Sequence, residues 1–175
     1  MKILLKISLF FLLLTQIQYS QWIQVGPPGL TVYSLAANGS NVFAGTYLDG
    51  LYSSTDNGQT WTQTTLNNGT INAIAINGSH ILAGGNGVFI SVDNGQTWTQ
   101  TSLNYTIVHS LVVSGSDIFA GTSIGVFVSI NNGQTWTQLG LNNEEVFSLA
   151  VTGSNIFAGT FWGNGVYRST NYGQT

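Results

Sequence analysis

The sequence predicts an all-β chain folded as a β-propeller, and three observations predict it. A polar segment that closes on tryptophan recurs: Ser54 to Trp61, Ser91 to Trp98, Ser129 to Trp136, and again from Ser169 to Thr175. Its glycines, Gly58, Gly95, Gly133 and Gly173, stand 37, 38 and 40 residues apart, a period that marks a repeat architecture. Between the copies lie short apolar runs rich in β-branched and aromatic residues and punctuated by Gly and Asn. No helical period is sustained after residue 20. Four short strands in a repeat of this length make one propeller blade. A β-helix needs shorter coils, and a sandwich does not repeat itself.

The first twenty residues read differently. Lys2 and Lys6 precede the apolar run from Ile7 to Leu14, and polar residues and Ser20 follow. That is the layout of a secretory signal peptide, with an exported chain beginning near Gln21. The apolar run is shorter than a membrane span needs, so an uncleaved anchor is the weaker reading.

Each repeat then offers four strands. The first column holds residues 32–36, 71–75, 108–112 and 146–150, and each copy ends in a Gly-Ser turn such as Asn38-Gly39-Ser40. Glycine at positive φ lets such a turn join antiparallel strands. The second column holds residues 42–45, 81–84, 118–121 and 156–159, each ending Ala-Gly. After a loop of changing length the third column opens at Gly50, Gly87, Gly125 and Gly165. The tryptophan segment follows, and the fourth strand is expected at Thr60-Trp61-Thr62-Gln63 and its copies. Gln21 to Val25, with Trp22 in the place of Trp61, reads as an isolated fourth strand. It would suit a propeller closed by its first strand, or a chain that is the front part of a larger one. The 175 residues hold about four blades, and the expectation favours a fragment of a six- to eight-blade propeller over a four-blade ring.

Composition excludes several function classes. Only 5% of the residues are charged, and Arg168 is the sole cation beyond the N-terminal lysines. No basic patch for nucleic acid can be built. With no cysteine there is no disulfide, thiolate catalysis or Cys-ligated metal. No cofactor motif is present. A turn such as Asp56-Asn57-Gly58 lacks the later carboxylate of a calcium loop, so no metal is expected.

The recurring segment, Ser-x-Asp-x-Gly-x-Thr-Trp, resembles the Asp-box or BNR repeat of sialidases, sortilin-type receptors, xyloglucanases and Ycf48-like assembly factors. The resemblance covers essentially residues 21–175. It implies a turn between the third and fourth strands, formed by Ser54, Asp56, Gly58 and Trp61; by Ser91, Asp93, Gly95 and Trp98; by Ser129, Asn131, Gly133 and Trp136; and by Ser169, Asn171 and Gly173. An Asx side chain can accept backbone N–H groups in such a turn, so Asn131 and Asn171 can replace aspartate. These residues read as structural.

The opposite face is where the repeats differ, and variable loops on one face of a repeat protein mark the binding face. Its candidate binding residues are Tyr47, Asp49, Asn86, Tyr105, His109, Glu144, Glu145, Phe161 and Trp162. Phe161 and Trp162 suit a stacking platform for a sugar or an anchor for a protein, or else they cover the edge of the last blade. Adjacent acids such as Glu144 and Glu145 can serve acid–base chemistry but are ordinarily solvated. His109 falls in the innermost column with Tyr33, Asn72 and Phe147, where it either titrates or fills space.

No residue set amounts to a reaction. The expected function is an exported, non-catalytic scaffold for a protein or carbohydrate ligand, without a stable membrane span once the leader is removed. The alternative is part of a glycoside hydrolase of xyloglucanase or sialidase type, which needs paired carboxylates. The arginine cluster that the resemblance implies for a sialidase is absent. A Ycf48-like role ranks last, because the arginine-rich surface expected of that group is absent too.

Overall fold

The computed structural model describes residues 22–174. The expected leader, residues 1–20, lies outside the described residues, as do Gln21 and Thr175. Fifteen strands form four antiparallel sheets among the described residues. The first sheet is β1 (Val32–Asn38), β2 (Asn41–Thr46), β3 (Leu51–Ser54) and β4 (Thr62–Gln63). The second is β5 (Ala73–Asn77), β6 (His80–Gly85), β7 (Gly87–Ser91) and β8 (Thr99–Gln100). The third is β9 (Val108–Ser114), β10 (Asp117–Thr122), β11 (Gly125–Ser129) and β12 (Thr137–Gly140). The fourth has three strands, β13 (Val146–Thr152), β14 (Asn155–Thr160) and β15 (Val166–Ser169). Every sheet is a meander in chain order. The chain is all-β, with about four propeller blades.

Two strand expectations need correction. The outer strands β4 and β8 are only two residues long, because Thr60 and Thr97 are bonded into the preceding turn and do not pair across. Residues 22–25 form no strand, and Trp22 is 99% exposed. Val25 instead offers its carbonyl to the indole N–H of Trp61 at 2.6 Å.

The sheets are held together by packing. The inner strands lie side by side in the order β1, β5, β9, β13. Close approach explains the glycine that ends the apolar run of each second strand. A Cβ on Gly84 would lie 2.7 Å from Val108 of the next sheet, and one on Gly121 would lie 2.9 Å from Val146. The run itself, for example Ile118-Phe119-Ala120, is apolar without alternation because both of its faces are covered.

Each junction between sheets has its own core. Phe43, Leu51, Leu66, Ile71, Ile81 and Ala83 join the first and second sheets, with Phe89 and Trp98 packed on them. Leu82, Val88, Leu103, Val108, Ile118, Ala120 and Phe127 are in the core joining the second and third, with Trp136 against it. Val126, Val146 and Ala158 join the third and fourth, beside Leu139, Leu141 and Leu149. Each fully buried aliphatic or aromatic side chain stabilises the array by about 1.5–3 kcal/mol. The tryptophan of one sheet thus closes the junction with the sheet before it.

Candidate functional site

The two faces of the array are built differently. One carries the tryptophan turns and the Gly-Ser turns, tied to each other by the Asn57 N–H to Ser40 and the Tyr172 N–H to Ser154, both at 3.0 Å. The Ser54 hydroxyl, buried, donates to Asp56 Oδ1 at 2.7 Å and accepts the Gly58 N–H at 2.9 Å. Asp56 then accepts the Thr60 N–H at 2.9 Å and the Thr60 hydroxyl at 2.6 Å. Ser91, Asp93, Gly95 and Thr97 repeat the pattern. The hydroxyl and N–H of Thr60 or Thr97, with the serine hydroxyl, hold both carboxyls at about 2, below the ordinary 3.8.

Asparagine keeps this turn with one bond reversed. Asn131 Oδ1 accepts from Ser129 and from the Thr135 N–H, both at 2.9 Å. Its Nδ2 then donates to the Thr135 hydroxyl at 2.8 Å, where the aspartates accept. Ser169, Asn171 and Gly173 keep the serine-centred bonds at 2.8 and 2.9 Å. In the three complete turns the indole N–H of Trp61, Trp98 and Trp136 donates to the carbonyl of Gly58, Gly95 and Gly133. This face is internally bonded.

The other face gathers side chains from separate sheets. The antiparallel register sets the start of each inner strand beside the end of the second: Val32 faces Thr46, Val108 faces Thr122 and Val146 faces Thr160. His109 and Phe147, on neighbouring inner strands, stack at 4.1 Å with planes 13° apart. Phe147 stacks on Phe161 at 5.0 Å, and Phe161 meets Trp162 edge-on at 4.8 Å. Four rings thus run continuously from the third sheet across the fourth. Trp162 is 83% exposed, and Phe147 and Phe161 are each 44% exposed. Trp162 holds φ at 59°, a left-handed conformation that costs a bulky residue about 1–3 kcal/mol.

The two glutamates of this face are engaged. Glu145 Oε1 lies 3.1 Å from His109 Nε2, and Asn164 Nδ2 donates to Glu144 Oε2 at 2.8 Å. Glu144 and Glu145, open to reading as acid–base groups or as solvated carboxylates, each make one side-chain contact, that of Glu145 reaching His109 across a sheet junction. Burial lowers the His109 pKa below its ordinary value, against the opposing pull of the Glu145 carboxylate. Tyr47 pairs with Tyr33 at 5.6 Å on the first sheet, apart from the four-ring run. Tyr105, 65% exposed, meets Phe127 edge-on at 6.3 Å. Asn86 bridges to Ile107, and Asp49 to Gly69, through the backbone. The face therefore joins His109, Glu144, Glu145, Phe161 and Trp162 into one patch and leaves Tyr47, Asp49, Asn86 and Tyr105 outside its bonds and ring contacts. Sequence reasoning missed Phe147 and Asn164 as members of the patch. The signal for Phe147 was its place in the His109 column, and for Asn164 its place in the longest of the loops that join second to third strands. Among the described residues, no cluster of three or more His, Cys, Asp or Glu side chains could hold a metal ion, and no helix is long and apolar enough to cross a membrane.

Comparison with known proteins agrees with this architecture. The BNR/Asp-box repeat family model matches residues 52–63 and 89–100. A search of curated protein sequences finds no match. Among solved structures, an ancestral GH74 enzyme superposes with a TM-score of 0.63 at 25% identity, over 74% of this chain and 22% of that one. YCF48 bound to D1 peptide gives 0.68 at 18% identity, over 86% and 54%. The GH74 xyloglucanase from Xanthomonas campestris gives 0.63 at 17% identity, over 89% and 31%. The chain spans 22–54% of the length of these proteins. Turns, sheets and likenesses together show a β-propeller that carries BNR/Asp-box repeats at residues 52–63 and 89–100.

Proposed function

We propose that the protein is an exported, non-catalytic propeller that holds a neutral glycan on the face carrying Phe147, Phe161 and Trp162. The observation that carries this reading is the run of exposed, mutually stacked rings reaching from one sheet to the next. The apolar C–H face of a pyranose packs on such rings, and the flanking carboxylates and Asn164 suit hydroxyl groups. Glu144 and Glu145, to which no lysine or arginine is bonded among the described residues, disfavour an anionic sugar. The non-catalytic part of the reading is supported by those same contacts, which hold each acid on a neighbouring side chain.

A peptide ligand is the second reading. It draws on the likeness to YCF48 bound to D1 peptide, which is evidence about that protein's ligand and a lead for this one.

Calorimetric titration of the chain with neutral oligosaccharides tests the proposal. Saturable binding is expected, and Trp162→Ala should weaken it about tenfold or more while leaving the fold intact, because the ring is exposed. Binding unchanged by Trp162→Ala and Phe161→Ala together would exclude this face. Hydrolysis of the titrant, lost on Glu144→Gln or Glu145→Gln, would replace the scaffold reading with a glycosidase.

A further inference from the structure

Eight asparagines in the chain directly precede a glycine. That pairing has a chemistry of its own. The backbone nitrogen of the glycine attacks Cγ of the asparagine side chain, and the missing Cβ leaves the approach unhindered. A C–N bond forms, the bond from Cγ to the amide nitrogen breaks, and ammonia leaves a five-membered succinimide. Water then opens the ring to aspartate or isoaspartate. One amide becomes one carboxylate, and nothing is oxidised or reduced. The attack needs a glycine N–H without an acceptor, an asparagine amide free to turn, and a backbone free to rotate between them.

The fold withholds one or more of these from seven of the eight. In the tryptophan turns, Asn57, Asn94 and Asn132 precede Gly58, Gly95 and Gly133. The N–H groups of those glycines donate to the buried hydroxyls of Ser54, Ser91 and Ser129 at 2.9, 2.8 and 2.8 Å. Asn86 precedes Gly87, whose N–H donates to the Thr106 carbonyl at 2.8 Å. Asn38 and Asn77 end inner strands and are held in the ladder opposite Asn41 and His80. Asn77 also gives its amide to Asn132 at 3.2 Å, and Asn164 gives its own to Glu144 at 2.8 Å.

Asn68 is the exception. It lies in the loop between β4 and β5, outside both strands, and is exposed. Among the described residues its side chain has no hydrogen-bond partner, and neither has the Gly69 N–H. A Cβ built on Gly69 would meet nothing within 4 Å, so the space beside the reacting atoms is open. Gly69 is anchored only on its far side, where its carbonyl accepts the Gly50 N–H at 2.9 Å. That bond leaves the Gly69 nitrogen available. It also occupies the Gly50 N–H, which closes the equivalent route at Asp49-Gly50.

We infer that Asn68 is a site of spontaneous modification, losing its amide through attack by Gly69 and giving the loop between the first and second sheets a carboxylate. The new acid adjoins Gly69, which bridges to Asp49, so it stands near an existing acid on the variable face. The formal charge of −3 moves one unit further negative. In the isoaspartate product the main chain gains a methylene just ahead of Gly69. That displaces the Gly69 carbonyl from the Gly50 N–H and loosens the loop that carries Asp49.

Peptide mapping by mass spectrometry tests this, on the chain kept folded in mildly alkaline buffer and on the same chain unfolded in urea. In urea the eight asparagines should react at comparable rates. In the folded chain Asn68 should react about tenfold or more faster than Asn57, Asn94 and Asn132, since each of those must first break a buried hydrogen bond. Asn68→Gln, whose longer side chain closes a less favourable ring, should remove the leading product while circular dichroism shows the fold kept. Equal rates at Asn68 and Asn94 in the folded chain overturn the inference. So does a lead taken by Asn38, Asn77 or Asn164, or an Asn68 that stays intact while the chain in urea reacts.

Discussion

Asp56 and Asp93 are the two carboxylates whose charge the fold uses most directly. Each charged form is bonded by a threonine hydroxyl and N–H and by a serine hydroxyl, which sets its folded pKa at about 2. A depressed carboxyl pKa contributes stability that is complete above the unfolded value of 3.8 and is lost as pH falls through about 2. Asn131 and Asn171 make the corresponding turns without titrating. The double variant Asp56→Asn, Asp93→Asn should therefore lose less stability than the parent between about pH 4 and about pH 2. Urea midpoints across that range check it, and parallel profiles would remove the carboxylates from the account. The turns were readable in the sequence because their bonds span at most four residues, Ser54 to Gly58 or Asp56 to Thr60. The pairing of His109 with Glu145, 36 residues apart, was not readable. Periodicity put both near the start of an inner strand, but only side-chain geometry turns one toward the other.

At the scale of elements, the tryptophan that closes each turn matters more than the strand after it. β4 and β8 are two residues long, while Trp98 and Trp136 reach back into the junction with the preceding sheet. Trp98→Ala removes an aromatic wall from the core of Phe43, Leu51 and Ile81. Because Trp98 is only half-buried, the expected cost is about 2–3 kcal/mol, below the 3–5 typical of fully buried aromatics. A urea titration followed by circular dichroism measures it, and a loss under about 0.5 kcal/mol would mean the indole is dispensable. The strand columns were legible because four copies of one pattern cancel the noise of each. The brevity of β4 and β8 was not, since Thr60-Trp61-Thr62-Gln63 has strand composition and only the turn bonds withdraw its first half.

At the scale of the molecule, stability is a sum over sheets and the contacts between neighbours. The second and third sheets are covered on both sides, and their strands are largely buried. The first and fourth present exposed residues along β1 and β15. Amide exchange should be slowest in β6, β7, β10 and β11 and faster by tenfold or more in β1 and β15. Uniform protection would mean that the sheets unfold as one unit. The architecture was legible because repetition dictates it. The ring patch was not, because it joins His109 and Phe147 of two inner strands to Phe161 and Trp162 of a loop that differs in every copy.

Trp61, Trp98 and Trp136 each precede the start of the next inner run, Ile71, Val108 and Val146, by 10 residues, and the constant interval has a consequence for how such arrays can vary. Since every copy enters its neighbour at the same offset, a gene segment cut anywhere within one period and pasted in frame yields another sheet that already fits. An array of this kind can therefore gain or lose a whole period while the contact between the sheets that remain keeps its form.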